Sequence, residues 1–250
     1  MRIARMSQYP RFLPVGDRAL SVELGDSISE VTNRRVHNLS REILRLVAPG
    51  VLDVVPTYRS LMVYYDPLSI SYADLTSRLG EMEGSLGEGE TVAPRLVEIP
   101  TIYGGEYGPD IGAVAEHNGI SEEEVIRTHS GTDYLVYMMG FLPGFPYLGG
   151  MSERIATPRL QTPRPSIPAG SVAIAERQTG IYPVESPGGW RLIGRTPISL
   201  FDPGREPPVQ IEPGDYLRFV PVDESEYADI QSRMRAGTYA LATRPMGRSL

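Results

Sequence analysis

The residues with the most chemistry in them stand close together between Gly140 and Pro203, in GFLPGFPYLGG, TPRPSIPAGSVAIA, QTGIYPVESPGGWRLIGRTP and LFDP. Arg159, Arg164, Arg191 and Arg195 are each framed by Pro or Gly, which can hold a guanidinium fork in a fixed direction toward a carboxylate or phosphate. Taken singly, each is more often a solvated surface charge. Phe141, Phe145, Tyr147 and Trp190 also stand beside Pro and Gly, an arrangement that suits a pocket floor or a protein interface, and equally a plain barrel core. Gly170 and the Gly188-Gly189 pair leave bare backbone that a ligand can approach, or simply serve turns with positive φ. Gln178, Tyr182 and Ser186, with Glu176 and Glu185, add polar groups at nearly every second position. They make no hydrolase triad: Ser186 lies in ESPGG rather than in a G-x-S-x-G elbow, and no His is near it in sequence. His129 falls in the last turn of a short predicted helix, SEEEVIRTHSG, where it is either a cation favoured by the helix C-terminus or a proton carrier.

Composition removes several chemistries. All 24 Lys plus Arg are arginine, which excludes a Walker A phosphate loop, a Schiff base and a biotinylated lysine on this chain. There is no cysteine, so disulfides and thiolate catalysis are out, and three scattered histidines make a metal site unexpected. A net charge of −7 without a basic patch argues against nucleic acid. The basic first residues lack the apolar stretch of a signal peptide, and no run approaches the ~18 apolar residues of a membrane span. The expectation is a soluble, cytoplasmic protein.

The elements that must position these residues are legible as periodicities. Ala19 to Leu24 alternates as a strand, and Ser27 with Glu30 reads as the capping box of a helix that ends at Pro49-Gly50. Strands at Val51 to Tyr58 and Leu61 to Tyr65, a helix near Tyr72 to Met82, a GSLGEGE linker and a strand at Leu96 to Tyr103 complete a βαββαβ order. That is the order of a ferredoxin-like domain, placed over residues 1–92. Residues 93–222 read differently. Pro109-Asp110 opens one short helix and Ser121, with Glu124, caps another; Tyr134 to Met139 is a buried strand. Then come short apolar runs between Pro and Gly, at Val172 to Ala175, Ile181 to Val184, Trp190 to Ile193 and Ile198 to Phe201, the pattern of a closed β structure. Val209 to Val220 is expected as a hairpin turning at Pro213-Gly214-Asp215. Asp223 caps a last helix, and residues 223–250 form that helix and a tail that is frayed or held by a partner. The fold class is α+β.

The four central motifs, with weaker counterparts in FLPVGDRALSVELG and YRSLMVYYDP, closely resemble one family over about nine tenths of the chain. It is the family that contains the B-type subunit of 5-oxoprolinase, the Kip inhibitor of a sporulation histidine kinase, and allophanate hydrolase subunit 1. The resemblance implies an N-terminal α/β domain and a C-terminal cyclophilin-like β-barrel. It implies a non-autonomous subunit that works with two others, a homologous C-type one and a lactam-acting A-type one. Together they open 5-oxo-L-proline to L-glutamate at the expense of ATP, with Mg at the level of the complex. The alternatives it carries are a regulator that docks on a histidine kinase, and an allophanate or urea-carboxylating subunit whose biotin sits on another chain. By the same resemblance His129 and Arg195 are the catalytic candidates. Phe141, Pro143, Gly144, Phe145, Tyr147, Arg159, Pro168, Gly170, Gln178, Tyr182, Ser186, Gly188, Gly189 and Trp190 are the substrate- or nucleotide-binding candidates.

Overall fold

The structure, a computed structural model, describes residues 9–46, 49–86 and 94–246, and the chain divides into two compact units, 1–92 and 93–250. Part of the expected GSLGEGE linker and the first eight residues lie outside the described residues.

In the first unit, β1 (Arg11–Val15), β2 (Ala19–Glu23), α1 (Glu30–Arg45), β3 (Val51–Pro56), β4 (Ser60–Tyr65) and α2 (Tyr72–Ser85) follow in order. The sheet runs β1-β2-β4-β3 and is antiparallel throughout. Period-2 alternation turns Leu20, Val22, Leu61 and Val63 to one face. There they bury Val36, Leu39 and Ile43 of α1 and Leu75 and Leu79 of α2. The observed order is therefore ββαββα and not the expected βαββαβ. Leu96 to Tyr103, expected as the last strand of this domain, belongs to the sheet of the second unit, and here β1 is hairpinned onto β2 through a turn that includes Gly16 at φ +65°. The cap of α1 also differs: Ser29, not Ser27, accepts from the Thr32 amide at 3.1 Å. The helix register is pinned by buried Asn33, whose Nδ2 donates to the Thr57 and Tyr58 carbonyls at 3.2 and 3.1 Å.

The second unit begins with β5 (Arg95–Tyr103), α3 (Ile111–Asn118), α4 (Glu122–Ser130), β6 (Tyr134–Met139) and β7 (Pro146–Gly149). It continues with β8 (Arg164–Ile167), β9 (Ser171–Ala175), β10 (Gln178–Ile181), β11 (Ser186–Gly188), β12 (Arg191–Arg195), β13 (Tyr216–Pro221), α5 (Glu224–Arg235) and β14 (Thr243–Pro245). The main sheet runs β10-β9-β12-β5-β13-β6-β7, and β7 lies against β10, so the sheet nearly closes into a barrel. Val97, Ile99, Val136, Val172, Ile174, Ile193, Leu217 and Phe219 fill its core, joined by Val114 and Val125 of α3 and α4. Ser121 caps α4 by accepting from the Glu124 amide at 3.2 Å, as its spacing predicts.

Three expectations fail here for tertiary reasons. The Val209 to Val220 hairpin does not form, because both edges of β13 are already occupied, by β5 in parallel and β6 antiparallel; Val209 bridges Phe201 instead. Ile198 to Phe201 is not a strand: Ile198 and Leu200 reach the core from irregular backbone. The tail is not frayed through its described part, since β14 pairs with β5 and the Glu98 amide donates to the Ala242 carbonyl at 3.0 Å. Among the described residues no helix is long and apolar enough to cross a membrane.

β9 is buried on both faces. Val172 and Ile174 point into the barrel, while Ala173 and Ala175 meet a second cluster of Phe145, Ile167, Tyr182, Trp190 and Leu192. β8 and β11 pair into a two-stranded ribbon that contributes Ile167 to this cluster. The ribbon and the loops on either side of β7 and β12 carry nearly all the candidate residues.

Candidate functional site

Phe145 is the hub of the aromatic group. Its ring meets Tyr147, Tyr182, Trp190 and Phe141 edge-on, with centroids at 5.3, 5.7, 5.7 and 6.0 Å. Phe145, Tyr182 and Trp190 are 2%, 3% and 8% exposed, so these rings are a packed layer on the outside of the barrel and leave no open floor between them. The glycines serve that packing: a Cβ on Gly180 would stand 3.1 Å from Phe145, and one on Gly188 would stand 2.4 Å from the Tyr182 hydroxyl. Burial pushes the Tyr182 hydroxyl pKa up, against a hydrogen bond from the Trp190 backbone and the nearby Arg159 and Arg164. Arg159 lies over the Trp190 ring at 5.8 Å. Phe141 departs from the group. It is 74% exposed and its backbone sits at φ +65°, a conformation that costs a non-glycine residue of the order of 1–3 kcal/mol. Pro143 is exposed in the same loop, and Gly144 packs against Phe201.

The arginines separate sharply once their partners are known. Arg164 grips Asp110 through two bonds of 2.9 and 2.8 Å, and Asp110 also accepts the Leu192 amide at 2.7 Å; this pair ties the ribbon to β12 and the start of α3. Arg191 donates Nε to the Pro158 carbonyl at 3.2 Å. Arg195 has no acidic partner among the described residues. Its guanidinium lies 5.5 Å from the Tyr107 ring centroid, and its Nε is buried without a hydrogen-bond partner. Directly opposite on β9 stands Ser171, 0% exposed, whose Oγ is likewise buried and unpaired. Gly170, at φ +81°, brings its Cα so near the Thr196 carbonyl that a Cβ would stand 2.4 Å from that oxygen. Beside it opens a cavity of about 180 Å³ lined by Gly170, Pro183, Thr196, Pro197, Tyr227 and Gln231 among others. Burial raises the Tyr227 hydroxyl pKa, and Arg195 pulls it back.

The candidates therefore fall into separate places. Arg195 and Gly170 share one neighbourhood with exposed Pro168, whose carbonyl accepts the Ser171 amide at 3.3 Å. Phe145, Tyr147, Tyr182, Gly188, Trp190 and Arg159 share the aromatic layer; half-buried Ser186 opens β11 and half-buried Gly189 follows it, and Ser186 Oγ is buried without a partner. Gln178 is half-buried on β10, opposite Ala175. Ser171, Tyr107 and Tyr227 escaped the sequence reading, because their proximity to Arg195 is set by strand register and helix packing over long separations.

His129 is elsewhere. It is 0% exposed, with Nδ1 at 2.8 Å from the Tyr103 hydroxyl and Nε2 at 2.8 Å from Thr179 Oγ1, its ring 4.4 Å from that of Phe219. Thr179 donates its own proton to the Ala173 carbonyl at 3.0 Å, so it must accept from His129 Nε2–H, which leaves Nδ1 to accept from Tyr103. Burial pushes the pKa down to about 3. The sequence left His129 either a helix-end cation or a proton carrier, and the resemblance made it a catalytic candidate. The helix-end cation is corrected to a neutral core histidine bridging α4, β5 and β10, and the ring reaches neither solvent nor the cavity lining near Arg195. Among the described residues no group of three or more His, Asp or Glu is placed to hold a metal ion.

Residues 10–211, which include most of the nearly closed barrel, match the family model of the carboxyltransferase domain, subdomain C and D. Curated relatives 38–45% identical over most of the chain are named as the B-type subunit of 5-oxoprolinase; that of Bacillus subtilis (strain 168) is 45% identical over 227 residues, 85% of this chain and 93% of its own. The crystal structure of TTHA0988 superposes with a TM-score of 0.74 at 40% identity, covering 82% of this chain and 40% of that one. The urea amidolyase of Saccharomyces cerevisiae is more distant, 23% identical over 95% of this chain and 15% of its own, and does not favour the allophanate reading. The chain belongs to the family of 5-oxoprolinase B-type subunits.

Proposed function

We propose that this chain is the B-type subunit of an ATP-dependent 5-oxoprolinase. It acts in the cytoplasm with two further subunits, a homologous C-type one and a lactam-acting A-type one, and has little turnover alone. The names of its relatives support the reaction. The single structural observation that supports a role for this chain's own side chains is Arg195, a guanidinium with no acidic partner among the described residues and next in sequence to the cavity-lining Thr196, whereas Arg164 is held by Asp110.

A five-membered lactam is a poor electrophile, and ATP supplies the phosphoryl group that activates its oxygen toward water. The donors present on this chain suit anions: arginine forks, hydroxyls and backbone amides do so without any lysine. Arg195 holds a carboxylate or phosphate, and Tyr107 covers one face of its guanidinium and keeps it in place. Mg travels with the nucleotide at the level of the complex. Phe141, exposed on strained backbone, is the aromatic residue of the set best presented for docking against a partner. Replacing Arg195 by Ala removes a charge-assisted bond of about 1.5–3 kcal/mol and is expected to lower coupled glutamate formation by about tenfold to a hundredfold. Full turnover in that variant overturns the assignment.

A further inference from the structure

We infer that Asp53 guards a latent self-pairing edge: its carboxylate occupies the N–H through which β3 would otherwise join β3 of a second copy of this chain. The inference concerns the first unit and holds whatever reaction the chain serves. In that unit β3 has one neighbour, β4, so among the described residues its other side is a free edge. A free edge offers unpaired N–H and C=O groups to any passing strand, and VLDVV, rich in β-branched residues, favours such pairing. Leu52 and Val55, 60% and 41% exposed, add apolar surface beside it.

The alternation of ladder hydrogen bonds decides which backbone groups face outward. The Thr57 amide donates to the Ser60 carbonyl at 2.8 Å just beyond the two strands, and hydrogen-bonded pairs recur at every second residue of an antiparallel ladder. Val55 and Met62 therefore exchange bonds, while Val54 and Pro56 turn their backbone groups to the free edge. Pro56 has no N–H to offer, as suits that position. Val54 does, and Asp53 Oδ1 accepts it at 2.8 Å. Upstream, the register shift between Val51 and Asp53 breaks the regular spacing of the edge. The regular part of β3 thus keeps one outward donor, that of Val54, and the neighbouring carboxylate holds it. Around a twofold axis Val54 would be its own partner, the N–H of each copy donating to the Val54 carbonyl of the other. The opposite edge, β1, is blunted by other means: Pro14 carries no N–H, and the Phe12 carbonyl accepts the Tyr72 hydroxyl of α2 at 3.1 Å.

Light scattering on the full chain, with far-UV circular dichroism to follow the fold, tests the guard in Asp53→Ala, in Asp53→Asn, and in Asp53→Ala combined with Val55→Lys. Asp53→Ala frees the Val54 amide and is expected to raise the apparent mass about twofold over wild type, increasingly so with concentration. Asp53→Asn keeps an oxygen acceptor without the charge and is expected to match wild type. Val55→Lys puts a charge beside the freed edge and is expected to restore the wild-type mass. In wild type itself the Val54 amide is expected to exchange with solvent about tenfold or more slower than an open-chain amide, a readout that needs no variant. An Asp53→Ala chain of wild-type mass, equal association of Asp53→Ala and Asp53→Asn, association that Val55→Lys does not relieve, or a Val54 amide exchanging at the open-chain rate overturns the guard.

Discussion

The buried His129 makes the barrel unit sensitive to acid in a way that can be worked out in advance. Its pKa is about 3 in the folded chain, against about 6.5 in an unfolded one. Below pH 6.5 the unfolded chain therefore binds a proton that the native chain refuses. The stability this residue contributes is complete above about pH 6.5 and is lost as pH falls toward 3. Integrated from pH 7 to pH 5, one such group removes about 2 kcal/mol. Because the ring is fully buried, solvent screening does not reduce that figure. His129→Gln keeps an amide N–H for Thr179 but cannot titrate. It sacrifices ring contacts with Phe219 and Tyr134, a cost of about 2–3 kcal/mol that is the same at both pH values. The chain has one tryptophan, Trp190, buried in the barrel unit, so urea unfolding followed by its fluorescence reports on that unit. Between pH 7 and pH 5 the wild-type chain is expected to lose about 2 kcal/mol more than His129→Gln. The comparison of the two proteins isolates position 129, because the rest of the sequence is the same in both. Equal losses in the two proteins would refute the neutral, doubly bonded imidazole.

Two other substitutions separate structural from functional residues by the same fluorescence measurement. Asp110→Asn leaves Arg164 without its charge partner and is expected to destabilise the barrel unit by about 2–3 kcal/mol, below the ~3–5 of a fully buried pair because the Arg164 side chain is 30% exposed. A change under ~0.5 kcal/mol would show the pair to be an ordinary surface ion pair. Phe141→Gly relieves positive φ and removes an exposed ring, so stability is expected to stay within about 1 kcal/mol of wild type while assembly with the other subunits weakens. A stability loss above ~2 kcal/mol with unchanged assembly would mean the ring packs rather than docks.

What was legible in the sequence was whatever depends on neighbours along the chain. Alternation from Ala19 to Leu24 placed β2, the apolar run from Leu61 to Tyr65 placed β4, and the Ser121 to Glu124 spacing placed the cap of α4. What was not legible depends on which edges are free: Arg95–Tyr103 joined the sheet of the second unit rather than completing a βαββαβ domain, and β13 found β5 and β6 where a local hairpin was expected. Ser27 was expected to cap α1 but Ser29 does so, and the long-range bonds of Asn33 fix the register observed. The candidate site divides the same way. Framing by Pro and Gly singled out Arg195, yet it singled out Arg164 and Arg191 equally, and only the positions of Asp110 and the Pro158 carbonyl tell the three apart. The type of His129 was plain; its burial under Tyr103, Thr179 and Phe219 was not, because those contacts come from three distant strands.

The central claim is that this chain is an obligatory part of a lactam-opening complex. It is tested most directly by combining it with the A-type and C-type subunits, following glutamate and ADP formation from 5-oxoproline and ATP, and then leaving this chain out. The account predicts that both products disappear on omission and return when the purified chain is added back. Unchanged glutamate and ADP formation without it would contradict the account.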